Sequence, residues 1–231
     1  MNIIENDAHL TVKGEGKPLL FLHGYLSSRQ SFAYQLEYFS KFFKVIAPDL
    51  MGFNGLKMEY PYSLDDYARD VSRLIEGEKR VNVIAHSFGA RVLFKMLPDD
   101  RIDRIVLTGA AGLKPRPSLK KSVAIFRYKL RKKLKLPTDK FGSDDYKKLD
   151  TIMKRSFVSV VNERLDGRIR NIKNPCLIVF GENDRETPVY MAKKLNKMID
   201  GSALVLIGRA GHFAFVDQPQ YFNRIVKEFL L

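Results

Sequence analysis

The 231-residue sequence predicts an α/β domain in which a mostly parallel central sheet is flanked by helices and carries a small helical insert. Three observations predict this class. Short apolar runs alternate with segments of three- and four-residue apolar spacing, as expected of strands that cross over through helices. Turn signals such as His23-Gly24 and Pro48-Asp49 end the runs. The alternation stops for about 60 residues in the middle and resumes after Asn174-Pro175, which marks an insert. The expected boundaries are a core of residues 1–112 and 172–231 and a basic insert of residues 113–171.

Each element has its own reason. Pro18–Leu22 and Lys44–Ala47 read as buried strands. From Ser63 the pattern becomes helical, with Leu64, Tyr67, Ala68, Val71, Leu74 and Ile75 on one face. Ser63 is placed to cap that helix, and Asp65 and Asp66 complement its dipole. Val81–Ala85 is a strand followed at once by a helix over Phe88–Leu97, and Ile102–Leu107 is the next strand. Past the insert, Cys176–Phe180 and Ala203–Ile207 are strands. Val189–Met198 is a helix, and Gln220–Leu231 closes the chain as an amphipathic one. The segment before Pro18 shows short or blurred strand signals, and His9 within it is expected to be solvated.

Composition excludes several classes. A hydrophobic fraction of 45% supports a large core and excludes a disordered chain. No apolar run approaches the ~20 residues of a membrane span. One cysteine, Cys176, rules out an internal disulfide framework and a multi-cysteine metal site. Four histidines without metal-ligand spacing predict no metal, and no organic cofactor is called for. The acidic start, Met1–Asp7, does not resemble a signal peptide, so a cytoplasmic location is expected.

The chemistry concentrates in Val83-Ile84-Ala85-His86-Ser87-Phe88-Gly89-Ala90. This is a strand, a sharp turn and a helix, with small residues flanking a serine whose hydroxyl would stand exposed at a helix N-terminus. The pattern alone arises by chance in roughly one chain in six of this length. Further segments strengthen it: His23-Gly24 after an early strand, Gly181-Glu182-Asn183-Asp184 after the strand beginning at Cys176, and Ala210-Gly211-His212-Phe213 after the last strand. In a parallel sheet all these loops leave the carboxyl edge, where ligands bind. Their order is Ser, Asp, His.

On these residues the sequence resembles the α/β-hydrolase family, serine hydrolase branch, from about Pro18 to the carboxyl terminus apart from the insert. Pro48-Asp49-Leu50-Met51-Gly52-Phe53 also looks like a loop of that family. The resemblance implies an α/β-hydrolase fold with Ser87 as nucleophile, His212 as base and Asp184 as orienting acid. It places the oxyanion hole at the backbone N–H groups of Tyr25 and Phe88. His23 and His86 are expected to be structural, and Phe53, Phe126 and Phe213 are candidates for the substrate pocket. The departure from the commonest elbow is Ala85 in place of glycine. The implied activity is hydrolysis of an ester or thioester of a small to medium acyl group through an acyl-enzyme, as in a carboxylesterase or thioesterase. Carbon–carbon bond hydrolysis, acyl transfer, and an inactive scaffold docking on anionic surfaces are the alternatives.

Charge singles out the insert. The chain carries +14, and Leu113–Arg155 holds fifteen basic residues against four acids, a surplus of +11. Leu119, Val123, Phe126, Leu130 and Leu134 form an apolar helical stripe with basic residues on the other faces. In the family such a segment usually forms a lid. A solvated basic back, a contact with an anionic membrane surface through residues 118–135, and recognition of an acidic ligand all fit. Nucleic acid is disfavoured because interleaved aromatics are missing. Ser143–Arg155 reads as a second lid helix, and Phe157–Val161 gives no clear period. The oligomeric state is left open.

Overall fold

The structure, a computed structural model, describes residues 7–114, 116 and 149–231. Its strands are β1 (Leu10–Lys13), β2 (Pro18–Leu22), β3 (Lys44–Pro48), β4 (Val81–His86), β5 (Ile102–Thr108), β6 (Cys176–Gly181) and β7 (Ala203–Ile207). Its helices are α1 (Ala33–Phe39), α2 (Leu64–Leu74), α3 (Phe88–Met96), α4 (Thr151–Asn162), α5 (Asp166–Arg170), α6 (Val189–Met198), α7 (Ala214–Asp217) and α8 (Pro219–Leu230). The strands form one sheet in the order β1-β3-β2-β4-β5-β6-β7. Only β1 runs antiparallel, against β3. Every other pairing is parallel. The order reverses direction between β2 and β4, the kind of point at which open α/β sheets form ligand crevices.

Alternate residues of the central strands feed two cores. Leu20 and Leu22 of β2, with Val83 and Ala85 of β4, pack beneath α2, α3 and α6. Leu19, Phe21 and Ile84 face the opposite layer of α1 and α8. Burial on both faces explains why β2 and β6 read as unbroken apolar runs, and β4 is buried along its length as well, with Asn82 and His86 its polar members. Ser63 caps α2 in a capping box, donating its N–H to Asp66 Oδ2 at 2.9 Å and accepting from Asp66 N.

The structure corrects two expectations. His9 is not solvated: its Nδ1 lies 3.2 Å from Asp49 Oδ2. Asp49 is itself fully buried and takes hydrogen bonds from Arg29 and Asn54. The segment before Pro18 is therefore held by a buried carboxylate supplied 40 residues later. Where a helix over Ser143–Arg155 is expected, the described residues show one that starts at Thr151, where Asp150 accepts the Met153 N–H at 2.7 Å, and runs past Arg155 to Asn162. It absorbs Phe157–Val161, because Met153, Ser156 and Val160 fall on one buried face. Residues 143–148 and the stripe at 118–135 lie outside the described residues. No helix among the described residues is long and apolar enough to cross a membrane.

Candidate active site

Ser87 stands between β4 and α3 with φ 48° and ψ −108°, a strained backbone for a residue with a side chain. The strain is held from both sides. Ser87 N–H donates to Thr108 O at 3.1 Å, and Ser87 O accepts from Ala90 and Ala111. From Val81 to Phe94 every residue is buried except Ser87. The tight turn demands small neighbours: a Cβ added at Gly89 would lie 2.3 Å from Leu22 O, so a larger residue there would push α3 off the sheet.

Asp184 and His212 come from the loops after β6 and β7. Gly181 brings these loops together, since a Cβ there would meet Gly211 O at 2.2 Å. His212 Nδ1 donates to Asp184 Oδ2 at 2.9 Å. Asp184 is 4% exposed. Its Oδ1 accepts the N–H groups of Glu186 and Thr187, both at 2.9 Å, and its Oδ2 accepts the Thr187 hydroxyl at 2.8 Å. Burial opposes ionisation of Asp184, but the hydrogen bond and charge of His212, with the bonds from Thr187, outweigh it and hold the carboxyl below its ordinary value. Because a carboxylate only accepts, the Nδ1–H is spent on it and the imidazole Nε2 is left as the acceptor. The competing acids Glu182 and Glu186 are exposed.

Ser87 is brought to the same end of the sheet. The ring of its neighbour His86 lies 4.7 Å from that of His212. A Cβ at Gly109, next to the Thr108 that holds Ser87, would stand 3.0 Å from the His212 ring. Among the described residues Ser87 Oγ makes no hydrogen bond to His212. Such contacts are often long before substrate is bound.

The His23-Gly24-Tyr25 loop flanks the elbow, and a Cβ at Gly24 would be 3.4 Å from Ser87 Cβ. His23 braces this loop, donating from Nδ1 to Gly24 O at 2.8 Å and accepting Leu50 N–H on Nε2 at 2.8 Å. Burial pushes its pKa down to about 4. His86 donates from Nδ1 to Thr108 O at 3.0 Å, and burial pushes it down to about 3. Both rings are therefore neutral struts. Phe88 opens α3, so its N–H precedes the first intrahelical acceptor and faces the N-terminal end with the helix dipole behind it.

Aromatic rings wall the neighbourhood. Tyr25 meets Phe53, Phe88 and Phe157 edge-on at 4.9, 5.4 and 5.0 Å. Phe53 is buried within this wall. Phe213 is 40% exposed and lies 4.9 Å from His86 and 5.5 Å from His212. Phe126 lies outside the described residues. Sequence reasoning passed over Thr187 and Phe157. Thr187 stands one residue beyond the Asx turn that Asp184 makes with Glu186 N–H, a legible signal; Phe157 gave none.

The Alpha/beta hydrolase family model matches residues 19–225. The chain belongs to the alpha/beta hydrolase family. Among the similar proteins within that family are 2-hydroxy-6-oxo-2,4-heptadienoate hydrolase of Pseudomonas putida, 24% identical over 94% of this chain and 90% of its own. AB hydrolase superfamily protein YisY of Bacillus subtilis is 26% identical over 98% of this chain and 97% of its own. Similar solved structures include an esterase from Exiguobacterium antarcticum, with TM-score 0.76, 20% identity and coverage of 95% of this chain and 94% of that one. A meta-cleavage product hydrolase from Pseudomonas fluorescens has TM-score 0.74, 23% identity and coverage of 96% and 93%. At these identities the structures establish the fold of this family member.

Proposed function

We propose that this protein is a serine hydrolase that cleaves an ester or thioester of a small to medium acyl substrate through Ser87, His212 and Asp184. The observation that carries the reading is the 2.9 Å Asp184–His212 hydrogen bond beside a serine held at a positive φ. A serine hydroxyl is a poor nucleophile until an imidazole takes its proton. His212 Nε2 does so as Ser87 Oγ attacks the acyl carbon, and then passes the proton to the leaving group. Asp184 fixes the tautomer and stabilises the imidazolium. The N–H groups of Tyr25 and Phe88 receive the developing oxyanion, each worth about 10²–10³ in rate. Water then attacks the acyl-enzyme by the same route. The acyl group rests against Tyr25, Phe53 and Phe88, with Phe213 on the His212 side. From within the insert, α4 sets Phe157 against Tyr25, so this helix closes one side of the site.

A second reading is hydrolysis of a carbon–carbon bond on the same triad. It is favoured by relatives named as hydrolases of 2-hydroxy-6-oxo-dienoates.

Intact-mass spectrometry after fluorophosphonate treatment tests the shared core of both readings. One adduct is expected on the wild type and none on Ser87→Ala or His212→Ala. An adduct that survives Ser87→Ala would overturn the assignment. Turnover of p-nitrophenyl esters against that of a 2-hydroxy-6-oxo-dienoate then separates the two reactions.

A further inference from the structure

A groove of about 680 Å³ lies where α6 meets the chain that leaves β5. Lys114 and Arg116 line one side, and Tyr190, Lys193, Lys194 and Lys197 the other. None of the residues around Ser87, Asp184 and His212 lines it. On α6 the four residues fall at i, i+3, i+4 and i+7, so one helical face presents a tyrosine and three ammonium groups. The opposite wall is built as well: Arg116 N–H donates to Tyr190 Oη at 3.2 Å, and its guanidinium sits 4.5 Å from the centre of that ring. Two segments 74 residues apart therefore close on one concave surface.

Among the described residues the charges in this groove are nearly unopposed. Of its five cations only Lys194 has a carboxylate partner among the described residues, Asp166 at 3.3 Å. Among the described residues no acidic side chain lines it. Lysines three and four residues apart on a helix repel one another, and a concave wall of one sign focuses the field. A solvated basic face would splay its side chains outward, with nothing to gather them. Here residues of two segments line one volume within the range of small-ligand sites. Tyr190, Leu204 and the lysine stems supply apolar wall between the charged heads.

We propose that this groove is a binding site for a phosphate-bearing anion, separate from the hydrolytic centre. Ammonium groups act as point charges toward phosphate oxygens, and Arg116 adds planar donors. The ligand is either a soluble phosphorylated small molecule or the phosphate headgroup of a lipid. The same cations serve both.

The test uses the full chain, with inorganic pyrophosphate titrated calorimetrically in one arm. In the other arm, phosphatidylcholine vesicles with and without phosphatidic acid are assayed by co-sedimentation. The variant is Lys193→Gln/Lys197→Gln, both exposed positions. The control is Lys41→Gln/Arg224→Gln, which removes the same charge from exposed positions beside α1 and on α8, in the opposite layer. In whichever arm the wild type binds, the groove variant should weaken binding about tenfold or more while the control does not. Binding of pyrophosphate alone identifies a soluble ligand, and binding that requires phosphatidic acid identifies a headgroup. Equal loss in the control, unchanged binding in the groove variant, or no binding in either arm would overturn the proposal. Ester turnover should be the same in wild type and groove variant.

Discussion

Asp184 and His212 share one hydrogen bond of 2.9 Å, and the oxygen that makes it is also held at 2.8 Å by the Thr187 hydroxyl. The carboxylate is thus oriented from behind before it orients the imidazole, so the reach of His212 toward Ser87 depends on residues on three loops. With the roles proposed above, Ser87→Ala and His212→Ala should each lower kcat by about 10⁴–10⁶-fold and the double variant little more, because the groups act as a unit. Asp184→Asn should cost less. Steady-state kinetics on one ester measure all four, and full activity in either of the first two single variants would sink the triad.

Two buried neutral histidines make stability depend on pH. His23 and His86 titrate near 4 and 3 when folded, against an ordinary 6.5. The unfolded chain therefore binds more protons below pH 6.5, and stability rises with pH across that window. Their contribution is fully present above pH 6.5 and is lost as pH falls toward 4, roughly 3 kcal/mol for His23 alone. Urea denaturation at pH 7, 5 and 4 should show this fall. A flat profile would contradict the neutral struts.

The elbow tolerates no side chain at Gly89. Gly89→Ala would set a Cβ 2.3 Å from Leu22 O and should destabilise by about 2–4 kcal/mol. Gly167→Ala, in α5 with nothing within 4 Å of the new Cβ, should stabilise by about 0.5–1 kcal/mol. Thermal unfolding of the pair separates a packing demand from mere helix propensity.

Arg91 of α3 ties α4 to the helix that carries Ser87. Its Nη2 donates to the carbonyls of Val160 and Glu163, the latter at 2.7 Å, at the end of α4. Lys95 reinforces the joint through Glu163 at 2.6 Å and also reaches Asp65 of α2 at 3.0 Å. Arg91→Leu should leave those carbonyls without donors, cost about 1–3 kcal/mol, and raise hydrogen exchange selectively across residues 151–163. Uniform exchange across the chain would show that Arg91 supports the core and not this helix.

Much of the framework was legible locally. Val189–Met198 and Ala203–Ile207 appear with the bounds read from the sequence, and Ser63 caps α2 as its place before the helical pattern implies. Strands buried on both faces announce themselves because nearly every position is apolar. The order of Ser87, Asp184 and His212 along the chain, each directly after a strand, was enough to expect all three at one edge of a parallel sheet.

Other features depended on partners distant in sequence. β1 carries the pattern of an exposed edge, with Lys13 and Val12 open to solvent, and becomes a strand only through its ladder with β3. His9 has nothing in its neighbourhood to suggest burial, and is held by Asp49. Phe157 lies in a segment of strand-like composition, yet tertiary burial of Met153, Ser156 and Val160 makes it helical and sets the ring against Tyr25. The groove along α6 follows the same logic, since the Tyr190 stripe is periodic in the sequence but its facing wall arrives from Arg116. Sequence alone determined the elements whose periodicity and caps are local, and the loops from which the triad would come. Tertiary structure decided which polar groups are buried and which rings meet, because those depend on neighbours that the chain brings together only by folding.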